Sequence, residues 1–228
     1  MGITLAFDIY GTLIDTNAIK VSVKAIAGSQ AAEFSRLWRD KQLEYSFRRG
    51  LMQNYKDFSV CTRQALDYAC LFFRIELSED EKQKLMGEYR VLSLFPDVKE
   101  GLESIQSSEF RMYAFSNGRK DMVDELLKSA GIRNYFIDVI SVDDIKSYKP
   151  NPGVYSHFLR RADSVCAESW LVSSNSFDVI GAISSGMRAV WIQRTPEEIF
   201  DPWEIKPTII INSLLQLSEK IHGMRNQR

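Results

Sequence analysis

Four short apolar runs in this sequence lead to residues that can do chemistry. Ile3 to Phe7 ends at Asp8, and Arg111 to Phe115 ends at Ser116-Asn117-Gly118. Phe136 to Ser141 leads, after a loop, to Lys149-Pro150, and Trp170 to Ser173 gives Ser173-Ser174-Asn175 and then Asp178. Together these ends offer two carboxylates, a lysine, serine hydroxyls and two amides. A carboxylate is a usable nucleophile when it stays ionised and is held in line with a reacting carbon. A neighbouring ammonium such as that of Lys149 favours the charged form. Strands often end in Ser or Asn at turns, so it is the ordered set that carries weight.

A parallel sheet would bring such ends together, because ligands bind beyond the carboxyl ends of its strands. Ala189 to Gln193 is a fifth run, and Ile205 to Ile211 reads as a last edge strand. Helical patterns at Asp121 to Leu127, Val154 to Ala162 and Val179 to Ser185 alternate with the runs, which implies an α/β chain. The stretch from Asn17 to Ser93 breaks the alternation and holds only helical periods. Phe34, Leu37, Trp38 and Tyr45 form one stripe, and Ala65, Leu66, Ala69, Cys70 and Phe73 another. Leu85, Tyr89 and Leu92 form a third, while Arg39, Leu43 and Phe47 share a face at four-residue steps. The expected organisation is a core of residues 1–15 and 94–228 with a helical cap at 16–93, a lid that excludes water. The tail after Lys220 reads as frayed.

Composition narrows the function classes. A chain of 228 residues suits one large domain or a core with an insertion. Its hydrophobic share of 45% and charged share of 26% are those of a soluble globular protein. A net charge of -1 with no basic cluster argues against nucleic acid. Cys61, Cys70 and Cys166 are too few and too scattered for a disulfide framework or a zinc site, so reduced thiols in the cytoplasm are expected. No stretch approaches the ~20 apolar residues of a membrane helix, and no signal peptide is read.

The ordered set resembles the haloacid dehalogenase superfamily and, within it, the 2-haloacid dehalogenases. The resemblance rests on Asp8-Ile9-Tyr10-Gly11-Thr12-Leu13, on the cap helix Leu37-Trp38-Arg39-Asp40-Lys41-Gln42-Leu43-Glu44-Tyr45, and on Ser116-Asn117-Gly118. Tyr148-Lys149-Pro150 and Val172-Ser173-Ser174-Asn175-Ser176-Phe177-Asp178 complete it. It implies a Rossmann-like parallel sheet core with an inserted α-helical cap domain. It also implies attack by Asp8 on C2 of a short (S)-2-haloalkanoic acid with inversion, giving an ester that water hydrolyses to an (R)-2-hydroxy acid. Arg39 and Asn117 would then receive the halide. Ser116 and the N–H groups of Ile9 and Tyr10 would hold the substrate carboxylate. Tyr10, Leu43, Phe58 and Phe177 would wall an apolar pocket; some relatives have Trp at the position of Phe177, so an altered size preference is expected. Asp178, with Ser173 and Asn175, would orient or activate water, and Thr12 and Tyr155 would support Asp8 and Lys149. His157 and His222 are expected to be incidental. Relatives are often homodimers, with Tyr68, Phe72 and Phe73 as a candidate interface here.

Two other readings are weaker. A magnesium phosphatase of the same superfamily would carry a second Asp two residues after the nucleophile and an Asp in its fourth motif; here those positions are Tyr10 and Ser174. Asp8 and Asp178 beside a lysine make a poor cage for a hard dication, so neither metal nor cofactor is expected. A non-catalytic binder on the same scaffold would not need a nucleophile and a water-activating carboxylate together.

Overall fold

The computed structural model describes residues 2–106 and 110–225. Six parallel strands form one sheet: β1 (Thr4–Phe7), β2 (Arg111–Ser116), β3 (Val139–Ser141), β4 (Ser169–Ser173), β5 (Arg188–Ile192) and β6 (Ile209–Ile211), in the order β3-β2-β1-β4-β5-β6. β1 is buried along its whole length, as expected of an apolar strand covered on both faces. The order reverses around β1, where open α/β sheets bind ligands. Phe7 is level with Ala114 on one side and Val172 on the other. Asp8 therefore emerges beside Phe115 and Ser173.

Four of the α-helices between β1 and β2 come before Leu94: α1 (Lys20–Ala27), α2 (Ala31–Leu51), α3 (Phe58–Phe73) and α4 (Glu79–Glu88). They form the inserted helical cap. Its two connections run side by side: Ile14 bridges Leu94 in antiparallel fashion, Asp15 N–H donates to Ser93 O (2.8 Å), and Phe95 N–H donates to Leu13 O (3.1 Å). α2 packs along α3, pinned where Trp38 Nε1 donates to Thr62 O at 2.8 Å. The buried face of α2 is Ala31, Phe34, Trp38, Gln42 and Ser46. It thus continues through two polar residues instead of through Tyr45, as the apolar stripe suggests. Of the three cap aromatics expected at an interface, only Phe72 is largely exposed. Phe73 lies against Phe34 (5.6 Å between centroids), and Tyr68 is half-buried against Tyr45 (6.5 Å).

After the cap come α5 (Val98–Gln106), α6 (Lys120–Ser129), α7 (Pro152–Arg161), α8 (Ser176–Ser184) and α9 (Leu217–Arg225). Val123, Leu126 and Leu127 of α6 join Leu5, Phe7 and Val172 in one core layer, together with α5 and α9. Val154 and Phe158 of α7 and Val179 and Ala182 of α8 join Ala6, Phe115 and Leu171 in the other. Gly181 of α8 is tightly enclosed. A Cβ there would stand 2.4 Å from Tyr155 Oη and 2.6 Å from Pro150 Cβ, so its small size lets α7 meet α8 beneath the site.

Two expectations are corrected. The edge strand is only Ile209–Ile211, because Pro207 lacks an N–H to donate and pairing with β5 begins beyond it. The tail is helix α9 as far as Arg225, anchored by the buried Leu217 and Ile221; residues 226–228 lie outside the described residues.

Candidate active site

Asp8 leaves β1 into a turn that Gly11 closes with φ +84°, a left-handed value that favours glycine. The hydrogen bonds within this turn are donated by the N–H groups of Gly11, Thr12, Leu13 and Ile14. Ser174 locks the turn from β4: its Oγ donates to Gly11 O (2.7 Å) and its N–H to Thr12 Oγ1 (2.9 Å). The Asp8 carboxylate is buried, and its two oxygens differ. Oδ2 accepts from Thr12 Oγ1 (2.7 Å), Asn175 Nδ2 (2.7 Å) and Ser173 Oγ (3.1 Å). Oδ1 accepts from Lys149 Nζ alone among the described residues, at 3.2 Å.

Lys149 is buried and directs all three of its protons inward, to Asp8 Oδ1, Asp178 Oδ2 (2.7 Å) and Phe115 O (2.9 Å). Burial works against its charge. The adjoining carboxylates of Asp178 and Asp8 outweigh burial and hold the ammonium above the usual lysine range. Asp178 sits in the first turn of α8, completely buried. Burial pushes its carboxyl up to about 6; Lys149 opposes this and the charge of Asp8 adds to it. Tyr155 Oη donates to Asp178 Oδ1 at 2.8 Å and fixes the orientation of that carboxylate.

The cap closes over this network. Arg39 is electrostatically coupled to Tyr89, Asp8 and Tyr10, and burial lowers its pKa. Among the described residues it forms no ion pair: Glu44 is taken by Lys41 and Arg48, and Arg39 Nη1 donates to Gln42 Oε1 (2.7 Å). A cavity of about 330 Å³ is lined by Arg39, Leu43, Asn175 and Phe177, among others. Phe47 stands edge-on over Phe177 (5.0 Å), while Phe58 and Tyr89 flank Tyr10 (6.3 and 6.5 Å). Asn117 Oδ1 accepts from Lys149 N–H (3.0 Å), which leaves its NH₂ as the group to offer a ligand. Ser116 Oγ accepts from Gly118 N–H at 3.0 Å and keeps its own proton for another acceptor.

Residues 5–192 match the family model of the haloacid dehalogenase-like hydrolases. The chain belongs to that family. It is 36% identical over 214 residues to (S)-2-haloacid dehalogenase 4A of Burkholderia cepacia, covering 92% of this chain and 91% of that protein. It is 39% identical over 188 residues to (S)-2-haloacid dehalogenase 1 of Pseudomonas sp. (strain CBS-3), covering 82% and 83%. It superposes with a TM-score of 0.92, at 28% identity over 98% of this chain and 100% of the other, on the L-2-haloacid dehalogenase from Xanthobacter autotrophicus with chloropropionic acid covalently bound.

In this hydrolase the sequence-derived residues fall into two groups. Asp8, Thr12, Lys149, Tyr155, Ser173, Asn175 and Asp178 form one hydrogen-bonded network, with the backbone of Ile9 and Tyr10 beginning the turn beside it. Arg39, Leu43 and Phe177 line the cavity beside it from the cap and the start of α8, Phe58 packs against Tyr10 and Tyr148, and Ser116 and Asn117 lie at the end of β2. Among the described residues no group of three or more His, Cys, Asp or Glu side chains is arranged to hold a metal ion. Four contributors are not legible from motifs: Phe115 O on Lys149, Tyr89 beside Tyr10, Phe47 over Phe177, and Gln42 on Arg39. Phe47 and Tyr89 were visible as helix-spaced apolar positions. Gln42 was not, because a polar residue on a helix ordinarily reads as solvated.

Proposed function

We propose that this enzyme hydrolyses short (S)-2-haloalkanoic acids to (R)-2-hydroxy acids without a metal, through an ester on Asp8. The observation that carries the reading is the asymmetry of the Asp8 carboxylate. Oδ2 is occupied by three donors, whereas Oδ1 is held only by the longer contact from Lys149 among the described residues, so Oδ1 is the oxygen that attacks. The Oδ1–C2 bond forms as the carbon–halogen bond breaks, and the halide departs with the bonding pair toward Arg39 and the Asn117 amide. Ser116 and the Ile9 and Tyr10 N–H groups hold the substrate carboxylate, and Tyr10, Leu43, Phe58 and Phe177 enclose the alkyl group. Water then adds to Cγ, giving its proton to Asp178. Negative charge collects on Oδ2, where Thr12, Ser173 and Asn175 receive it. The Cγ–Oδ1 bond breaks, and the product leaves with Oδ1 and takes the proton held by Asp178 on that oxygen. The new carboxyl of Asp8 releases its remaining proton to solvent, so that Asp8 regains a carboxylate containing the oxygen of water.

Residues 16–93 act as the lid and 1–15 with 94–228 as the core; the paired connections at Ile14 and Leu94 support that division. No helix among the described residues is long and apolar enough to cross a membrane. Cytoplasmic function is proposed on the three unpaired cysteines, and a homodimer on the exposed Leu71 and Phe72 of α3. The activity is tested by incubating the protein with each enantiomer of 2-chloropropionate in EDTA and measuring chloride. Chloride from the S form alone, with (R)-lactate as product, is expected. No chloride from either enantiomer would overturn the reading.

A further inference from the structure

Arg39 is a partly buried cation that forms no ion pair with a carboxylate among the described residues, and a guanidinium so placed needs something to fix its direction. What meets it is a directional chain of neutral groups. Arg39 Nη1 donates to Gln42 Oε1 (2.7 Å), Gln42 Nε2 donates to Thr62 Oγ1 (2.5 Å), and Thr62 Oγ1 donates to Phe58 O (2.8 Å). Each link determines the next. The Thr62 proton is committed to the α3 backbone, so its oxygen can only accept from the Gln42 NH₂. That acceptance turns the Gln42 carbonyl toward Arg39. Gln42 and Thr62 are both buried, 1% and 4% exposed, so water does not compete for these groups. Thr62 is also where Trp38 clamps α2 to α3 through the backbone carbonyl.

We propose that Gln42 and Thr62 are positioning residues that hold Arg39 in the direction of the departing halide, so that α3 governs how well the site stabilises a poor leaving group. This rests on the assignment of Arg39 to the halide. A neutral acceptor suits the task, since a carboxylate in the place of Gln42 would pair with Arg39 and compete with the halide.

The test compares kcat/KM for (S)-2-chloropropionate and (S)-2-bromopropionate, which covers the steps up to halide loss. Chloride is the poorer leaving group and depends more on the donor. Gln42→Leu is expected to lower kcat/KM for the chloro acid by about tenfold and for the bromo acid by less, so the bromo-to-chloro ratio rises. Thr62→Val keeps the Trp38 contact and the side-chain shape; it is expected to raise the ratio in the same sense, and Thr62→Ser to restore it. Arg39→Lys is run alongside. A ratio raised by Arg39→Lys but unchanged in Gln42→Leu and Thr62→Val would overturn the relay and leave the role of Arg39 standing. A ratio unchanged by Arg39→Lys would overturn the assignment of Arg39 and the relay with it.

Discussion

The amide of Asn175 donates to Oδ2 of Asp8 at 2.7 Å, the same oxygen that Thr12 and Ser173 approach. Once Oδ1 is bound to substrate, Oδ2 is the ester carbonyl oxygen, and these donors surround the charge it gains when water adds. Asn175→Ala is therefore expected to slow ester hydrolysis by about 10²-fold while halide release in the first turnover stays fast. Rapid mixing should show a burst of one halide per active site followed by a slow steady state. Loss of the burst together with the steady rate would assign Asn175 to the displacement instead.

The pH profile follows from Asp178, whose carboxyl burial raises to about 6. The ionised form that can accept a proton is present above that value and is lost as pH falls through it. Esterification removes the charge of Asp8, which contributes to the raised value, so in the ester the carboxyl of Asp178 ionises more readily. The acid limb of kcat is expected at or below pH 6, measured as chloride release under saturating substrate. A kcat that rises as the solution is acidified would contradict this role.

Lys149 is the shared cation of two buried carboxylates, so its removal affects stability as well as activity. Lys149→Met leaves Asp8 and Asp178 without a countercharge and is expected to cost about 3–5 kcal/mol near neutral pH. In the variant the folded state holds the Asp178 proton more tightly than the unfolded chain does. Stability is then present at low pH and lost as pH rises through the folded-state value. Without Lys149, which lowers it, the Asp178 carboxyl takes up its proton above the wild-type value of about 6, so the deficit in urea unfolding should already shrink as pH is lowered toward 6. A deficit independent of pH would place its origin in packing.

Much of this architecture was legible in the sequence because buried parallel strands are apolar along their length and their ends carry the polar groups. Asp8, Ser116, Ser173 and Asn175 could be placed from that pattern alone, and Lys149 from its motif before Pro150. Other features depend on packing. Arg39 on its own reads as a solvated helix arginine; only in three dimensions is it seen to form no ion pair among the described residues and to line a cavity with Asn175 and Phe177. Gln42 and Ser46 complete the buried face of α2 despite their polarity, because Thr62 and the Leu43 carbonyl satisfy them. The buried spacing of Leu217 and Ile221 was a readable signal for α9, whereas the short β6 follows from Pro207. The inequality of the two Asp8 oxygens exists only in the folded chain.

The covalent role of Asp8 can be read directly by mass. Asp178→Asn removes the group that activates water while leaving Asp8 and its donors in place, so the ester should accumulate. After incubation with (S)-2-chloropropionate and digestion, the peptide containing Asp8 is expected to carry one added carboxyethyl group. Hydroxylamine should remove it, and Asp8→Asn should show none. An unmodified Asp8 peptide from an Asp178→Asn protein that still releases one chloride per site would contradict attack by Asp8.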